Sequence, residues 1–342
     1  MTSAPLAILG CGLISGVGLT AAESCAAVRA GLNNFQETRF LHKGQWLVGS
    51  VVALEAPWRS LDKLAKMAAR AVAECFAASG DEAPEHIPVL VCVSEIERPG
   101  RLEGLAPGFL KSIGAELAIR LHPLSRVLAV GRVGGLEAFV HARRMLSEGQ
   151  CTRIIVVGVD SYFTSDTLAA YADEQRLLSD DNSDGFIPGE AAAAVLLGSV
   201  AYAARAPCLV RGVGFGSESA FLGSGMPLRA QGLCDAIRAA LEDAGLALKD
   251  CDCRIADING EHYRFKEAAL AITRLLRDRK KFFSLWHPAD CLGEIGAAAL
   301  PAMLAVLFHG ALKHYLPGPT FIGHLGNDDG RRAAFVAQAT SS

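Results

Sequence analysis

One short segment, His287-Pro288-Ala289-Asp290-Cys291, brings an imidazole, a carboxylate and a thiol together in the chain. Cys291 is the only cysteine near a predicted helix start, where the helix dipole could favour a nucleophilic thiolate. With His287 and Asp290 beside it, this thiol could carry acyl-transfer chemistry. The alternative is that Cys291 is a small, buried packing residue.

The other cysteines do not form a recognisable pattern. The chain has ten cysteines, and no Cys-x-x-Cys pair gives the spacing of a zinc site. The one close pair, Cys251-Asp252-Cys253, is interpreted as two thiols at a surface turn, with a metal or redox role as the alternative. We therefore expect no cofactor and no metal, and a reduced, cytoplasmic protein.

Composition excludes several classes of protein. Among 342 residues, 33 are Lys or Arg and 36 are Asp or Glu, so the net charge of −3 lacks the basic footprint of a nucleic-acid binder. An apolar content of 51% excludes a disordered chain. No membrane association is expected: residues 1–22 lack the basic start of a signal peptide, and Ile295–Leu312, interrupted by Pro301, predicts a buried core helix.

Apolar runs alternate with helical patterns along the chain, which is typical of an α/β protein built on largely parallel sheets. Strands are predicted at Leu6–Gly10, Trp46–Ala53, Val89–Ser94, Arg126–Val130, Thr152–Val157, Ala191–Leu197, Cys208–Val213, Arg254–Ile258, Phe282–Trp286, Thr320–Gly323 and Ala333–Ala337. Helices are predicted at Ala21–Ala30, Leu61–Ala78, Leu102–Ile119, Gly135–Glu148, Gly232–Ala244, Phe265–Asp278 and Leu292–Leu312.

A unit of strand, small residues and long helix occurs twice. The strand at Ser125–Val130 leads through Gly131–Gly135 into a long helix, and the strand at Phe282–Trp286 leads through His287–Gly296 into another. Small residues at such a helix start allow close packing against a sheet or a counterpart helix. The repeat predicts two halves, 1–202 and 203–342, joined near Ala203–Pro207.

Three segments, taken in order, resemble those of the β-ketoacyl-ACP synthases in the thiolase-like superfamily. They are the glycine-rich opening Gly10–Gly18, the strand end Gly158–Ser161, and the glycine turn and acidic residue ahead of a core strand in Asp184–Leu197. The resemblance implies a five-layered αβαβα fold of two duplicated halves, usually a dimer through the first half. It also implies condensation of acyl-ACP by a cysteine and two basic partners.

The nucleophile position of that family falls on Arg132. The family's cysteine stands at the start of the helix after the Ser125–Val130 strand, and alignment on Gly135-Leu136 places Arg132 there. Cys151, the closest thiol, is at the far end of that helix. A guanidinium stays protonated and cannot attack a thioester. Arg132 is therefore either solvated or salt-bridged, or it binds an anion.

The basic partners implied by the resemblance are also displaced. His262 lies near the first histidine position, but Glu261 occupies the approximate site. His324 falls near the second histidine position, with a structural histidine as the alternative. The glycine-rich loop expected there is replaced by Gly326-Asn327-Asp328-Asp329-Gly330, which would change the oxyanion environment.

The remaining family positions are altered as well. Leu285 and Trp286 stand near the expected lysine, and Glu294 lies in the helix-start segment. Glu190, beside Gly189, is interpreted as a structural carboxylate bonded to the turn backbone rather than a catalytic acid.

Without the nucleophilic cysteine, condensation through an acyl-cysteine is not expected. The sequence predicts a non-catalytic ketosynthase-like protein whose partner is a ketosynthase, an acyl carrier protein or a secretion effector, in a homodimer or heterodimer. Nucleophile-less relatives resemble chain-length factors, and an adaptor or chaperone role for a type VI secretion effector is a further possibility by analogy. The alternative is a divergent acyltransferase acting on acyl-ACP or acyl-CoA through His262, His324 or Cys291.

Overall fold

A computed structural model describes residues 4–105, 108–199, 201–202 and 206–340. The strands are β1 (Leu6–Ile14), β2 (Phe35–His42), β3 (Gln45–Ser50), β4 (Val89–Val93), β5 (Arg126–Ala129), β6 (Arg153–Ser161), β7 (Glu190–Gly198), β8 (Cys208–Ser217), β9 (Cys253–Ala256), β10 (Leu285–Trp286), β11 (Thr320–Gly326) and β12 (Arg331–Ala339). The helices are α1 (Ala21–Arg29), α2 (Ser60–Ala77), α3 (Gly108–Leu117), α4 (Gly134–Ser147), α5 (Ser165–Asp173), α6 (Gln231–Ala244), α7 (His262–Leu275), α8 (Ala289–Leu292) and α9 (Ala299–Leu312).

Ten of these strands form one large sheet, in the order β10-β9-β11-β12-β8-β1-β7-β6-β4-β5. Within each half, the five strands of the large sheet can be numbered one to five along the chain. From the outer edge to the junction, both halves then have the order three, two, four, five, one. The two first strands, β1 and β8, meet at the junction, where Leu6 lies opposite Val210. This repeated topology confirms the two duplicated halves. The boundary at 202/203 stays a prediction, because residues 203–205 of the proposed joint Ala203–Pro207 lie outside the described residues.

The expectation of largely parallel sheets is wrong. Four pairings of the large sheet are parallel, β4 with β5 and β6, and β9 with β10 and β11. The other five pairings are antiparallel. The antiparallel strand β7 is buried along its whole length, so it has the continuous apolar sequence that normally indicates a parallel strand covered on both faces.

Several predicted elements differ from the structure. Strand β2 and helix α5 were not predicted, since FQETRFLH in β2 is largely polar and has no fully buried residue and α5 is short. The described part of the predicted helix Leu102–Ile119 becomes helical at Gly108. The predicted helix Leu292–Leu312 is divided into α8, a 3₁₀ turn and α9, because Gly293 and Gly296 both adopt positive φ.

The helices form three layers around the two half-sheets. Helices α2 and α3 cover the first half-sheet, α6 and α7 cover the second, and α4 and α9 fill the space between the halves. This is the five-layered αβαβα arrangement. All but three of the 14 residues of α9 are buried, so the predicted core helix is confirmed. Within the described residues, no helix is long and apolar enough to cross a membrane.

The two central helices begin in equivalent ways and meet. A 3₁₀ turn precedes each helix, Gly131–Val133 before α4 and Gly296–Ala298 before α9. A β-carbon on Gly135 would lie 2.8 Å from Cδ2 of Leu300, which confirms that small residues allow the counterpart helices to pack closely. The residues at the two helix starts are therefore brought together at the centre of the molecule.

Candidate functional site

Arg132 lies in the 3₁₀ turn before α4, and its side chain is only 2% exposed. Its Nε and Nη2 donate to the two carboxylate oxygens of Glu294, at 3.1 and 2.9 Å. Nη1 donates to Oδ1 of Asp328 at 3.1 Å and to the Gly326 carbonyl at 3.2 Å, and Nη2 lies 3.3 Å from the Tyr162 hydroxyl. Salt-bridging of Arg132 is thus confirmed, and solvation is wrong, because two carboxylates offset the unfavourable helix dipole.

Arg132 is one member of a buried network, here called the arginine cluster. Its members are three arginines and three carboxylates: Arg132, Arg176, Arg264, Glu261, Glu294 and Asp328. Arg176 pairs with Glu261 at 2.8 Å and with Asp328 at 2.9 Å. Arg264 donates to Asp328 at 2.9 Å, so this one carboxylate contacts all three arginines. The formal charges of these six side chains cancel, and Asp257 adds a further carboxylate 3.8 Å from Arg264, so each arginine has a carboxylate partner, as burial of charges requires.

Two asparagines connect the cluster to the backbone of both halves. The side-chain amide of Asn259 donates to Glu294 at 2.7 Å. Asn327 donates to the Val130 carbonyl at 2.7 Å and accepts from the Val133 amide at 3.2 Å. The loop after β11 is therefore bonded to the turn that carries Arg132. Asp328, one of the acidic residues in this loop, contributes ion pairs to the cluster.

The charges in the cluster stabilise one another. Burial raises the pKa of Glu294, but Arg132 and Arg264 outweigh it and lower that pKa to about 2. The same arginines, with Arg176, overcome the effect of burial and hold the pKa of Asp328 well below its usual range. Both carboxylates are ionised at neutral pH, and neither is suited to act as a general acid or base there.

Stability should fall in acid through Glu294. A carboxyl group whose pKa is lower in the folded than in the unfolded state stabilises the protein above the unfolded value, about 4.3, and this stabilisation is lost as pH falls towards the folded pKa of about 2. We expect the advantage of the unaltered protein over Glu294→Gln to shrink by about 1 kcal/mol between pH 6 and pH 3.5. Urea unfolding of both proteins at each pH measures it, and a constant difference would contradict it.

The candidate basic residues are not brought together. His262 begins α7 with its side chain 77% exposed and 3.4 Å from Asp184. His324 is buried within β11, and burial, with Arg254 and two further arginines, lowers its pKa to about 3. In the part of the chain that the structure describes, no hydrogen bond or ion pair joins His262, His324 and Cys291. The structure therefore provides no assembled catalytic group from these residues.

Cys291 is a buried residue beside a histidine–aspartate pair. Nδ1 of His287 lies 2.9 Å from Oδ2 of Asp290, and all three side chains line one cavity of about 570 Å³. Burial and the neighbouring Asp290 raise the pKa of the Cys291 thiol, which disfavours the thiolate. The packing interpretation of Cys291 is the better supported.

Two further interpretations of sequence are revised. Cys251 and Cys253 are both buried, so their assignment to a surface turn is wrong: Cys253 is a strand residue. Glu190 is structural, as expected, but it accepts from the Val52 amide at 2.9 Å and the Ser161 hydroxyl at 2.8 Å rather than from its own turn. Over the described ranges, no group of three or more His, Cys, Asp and Glu residues is placed to hold a metal ion.

One small cavity lies beside the arginine cluster. A cavity lined by Asp257, Glu294 and Met303 has a volume of about 20 Å³, which is room for about one water molecule. Such a volume cannot accept an acyl chain.

Comparison with known proteins agrees with this fold. The family model for the N-terminal domain of β-ketoacyl synthases matches residues 134–203. Polyketide β-ketoacyl synthase 2 of Streptomyces cyaneus is 26% identical over 207 residues, which are 57% of this chain and 48% of that protein. Actinorhodin polyketide β-ketoacyl synthase 2 of Streptomyces coelicolor is 36% identical over 149 residues, 39% of this chain and 35% of that protein. The matches thus span less than half the length of these relatives.

Solved ketosynthase structures share the whole fold. A chain of the ketosynthase–chain length factor complex from Xenorhabdus doucetiae superposes with a TM-score of 0.79 at 14% identity, over 98% of both chains. The ishigamide ketosynthase/chain length factor gives a TM-score of 0.79 at 19% identity, over 99% of this chain and 100% of that one. The chain therefore has the thiolase-like fold of the ketosynthases, as its motifs indicated, and part of its sequence is similar to β-ketoacyl synthases.

Proposed function

We propose that this chain is a non-catalytic ketosynthase-like subunit that pairs with a working ketosynthase, as a chain-length factor does. One observation carries the proposal: the turn between β5 and α4, where the family places its nucleophile, holds Arg132 locked to Glu294 and Asp328. A buried guanidinium with carboxylate partners is neither a nucleophile nor an acceptor of an acyl group.

The nearby thiols do not replace the missing nucleophile. Cys151 lies beyond the other end of α4, and burial together with Glu82 raises its pKa to about 11. The pKa of Cys291 is raised as well. A reactive cysteine needs the opposite shift, towards a thiolate at neutral pH.

The first half-sheet offers an edge for a partner. In the large sheet β5 is the last strand, and an unpaired strand edge is a template for pairing with another chain. Leu124 just before β5 is 41% exposed and Val140 on α4 is 45% exposed. Two of the similar solved structures are ketosynthases together with their chain length factors, which supports pairing with a ketosynthase. We place the contact at this edge and the pair in the cytoplasm.

Acylation assays test the absence of catalysis. After incubation with malonyl- and acyl-ACP, or with acyl-CoA, we expect no acyl mass on the intact protein and no release of CO₂. Arg132→Cys should also fail to condense, because no histidine of the described chain is bonded into the cluster. The double change Arg132→Cys/Glu294→Gln removes one positive and one negative charge. It therefore tests whether a cysteine at position 132 allows condensation when the net charge of the cluster is unchanged.

Two results would contradict the proposal. An acyl adduct on the unaltered protein that disappears in Cys291→Ala would make it an acyltransferase. Condensation by either Arg132→Cys protein would show that the remaining basic groups still form a working site.

A further inference from the structure

A further cavity, of about 570 Å³, lies between the β2–β3 hairpin, the start of α2 and the segment after β6. Its volume is within the range of pockets that bind small molecules. Much of its wall is apolar, formed by Phe40, Val51, Trp58, Leu64, Leu102 and Phe163. Three of these six side chains are aromatic, so the wall favours a flat, apolar ligand body.

This cavity is separate from the arginine cluster but shares a chain segment with it. Ser161 and Phe163 line the cavity. Tyr162, between them, directs its hydroxyl to Arg132. Successive side chains of this segment therefore face two different sites, and a ligand in the cavity would not need to displace any residue of the cluster.

The polar groups of the cavity leave an excess of positive charge. Glu190 is 2% exposed and is already neutralised by Lys63, with which it forms an ion pair. Arg39 and Arg59 also line the cavity, and within the described residues neither forms an ion pair. Glu37 is the only other carboxylate in the lining, so the lining has three cations against two carboxylates.

We propose that this cavity binds a small aromatic carboxylate. The ring packs against Trp58 and Phe163, and the carboxylate is held at the rim by Arg39 and Arg59. Guanidinium groups recognise a carboxylate through paired, charge-assisted hydrogen bonds. Lys66 lies 4.1 Å from the centre of the Trp58 ring, but Glu116 pairs with it at 2.7 Å, so the charge that holds the ligand comes from Arg39 and Arg59.

The probe is 2-naphthoate, with the uncharged 2-naphthamide as its matched comparison. Titration of the full chain, monitored by calorimetry and by intrinsic tryptophan fluorescence, should show saturable binding of the acid and binding of the amide weaker by about 10- to 100-fold. The double change Arg39→Gln/Arg59→Gln should weaken binding of the acid by a similar factor. Lys43→Gln, on the same hairpin but outside the cavity lining, is the control and should leave binding unchanged.

Three outcomes would overturn the proposal. They are equal affinity for the acid and the amide, unchanged affinity in Arg39→Gln/Arg59→Gln, and no saturable binding of 2-naphthoate at millimolar concentration. The circular dichroism spectrum of each variant is compared with that of the unaltered protein. Equal spectra show that a change in affinity comes from the altered side chains and not from a loss of folding.

Discussion

Replacing Arg132 with methionine is expected to lower the free energy of unfolding by about 3–5 kcal/mol, the usual cost of removing one partner of a buried ion pair. The Arg132 side chain is 2% exposed and Glu294 is 3% exposed. Without the guanidinium, Glu294 keeps Asn259 and the Gly296 amide as donors but loses its bonded cation. Unfolding of both proteins in guanidinium chloride at pH 7.5 measures the difference between their free energies of unfolding.

Two controls separate burial from charge. Arg238 is 47% exposed and pairs with Asp235 on the surface of α6. Its replacement by methionine should lower the free energy of unfolding by less than about 1 kcal/mol. Arg132→Met/Glu294→Leu should recover most of the lost stability, because the double variant no longer buries the Glu294 charge without its bonded cation. A loss below about 1 kcal/mol for Arg132→Met alone would contradict a buried, charge-compensated cluster.

Placing a charge beside the free edge of β5 should separate the protein from its ketosynthase partner. Leu124→Glu puts a carboxylate where the proposed interface excludes water, and an unpaired buried charge is costly. We expect affinity to fall by at least about 30-fold, equivalent to about 2 kcal/mol. Surface plasmon resonance or analytical ultracentrifugation of the purified pair measures the change.

Leu312→Glu is the matched control for that experiment. Leu312 is 45% exposed, against 41% for Leu124, but it lies at the end of α9, away from the edge strand. If both variants bind the ketosynthase as well as the unaltered chain does, β5 is not the interface. If both weaken binding equally, the effect of Leu124→Glu is not specific to that edge.

The fold could be predicted from local motifs, but strand direction could not. The glycine-rich segments and the repeated strand-to-helix unit indicated two duplicated halves, and the strand order shows that repeat. Parallel and antiparallel strands covered on both faces have the same apolar sequences, so β7 carried no signal of its direction. The exposed hairpin strand β2 lacked any apolar run from which it could be predicted.

The centre of the site was predictable, but its surroundings were not. Helix-start alignment singled out Arg132, and the altered family positions singled out Glu261, Glu294 and the loop containing Asp328. Arg176 and Arg264 were missed because no motif includes them. Arg176 reaches the cluster from a segment distant in the chain, whereas Arg264 lies only three residues after Glu261, and its ion pairs become evident only from tertiary contacts.

The most direct test of the central claim is to recover the tagged protein from its native cells and identify what co-purifies by quantitative mass spectrometry. If this chain pairs with a working ketosynthase, a ketosynthase carrying its own active-site cysteine, or an acyl carrier protein, will be enriched in stoichiometric amount and reduced in Leu124→Glu. Recovery of a secreted toxin or a secretion-spike component, with neither of those proteins, would contradict it and would instead make this chain an adaptor.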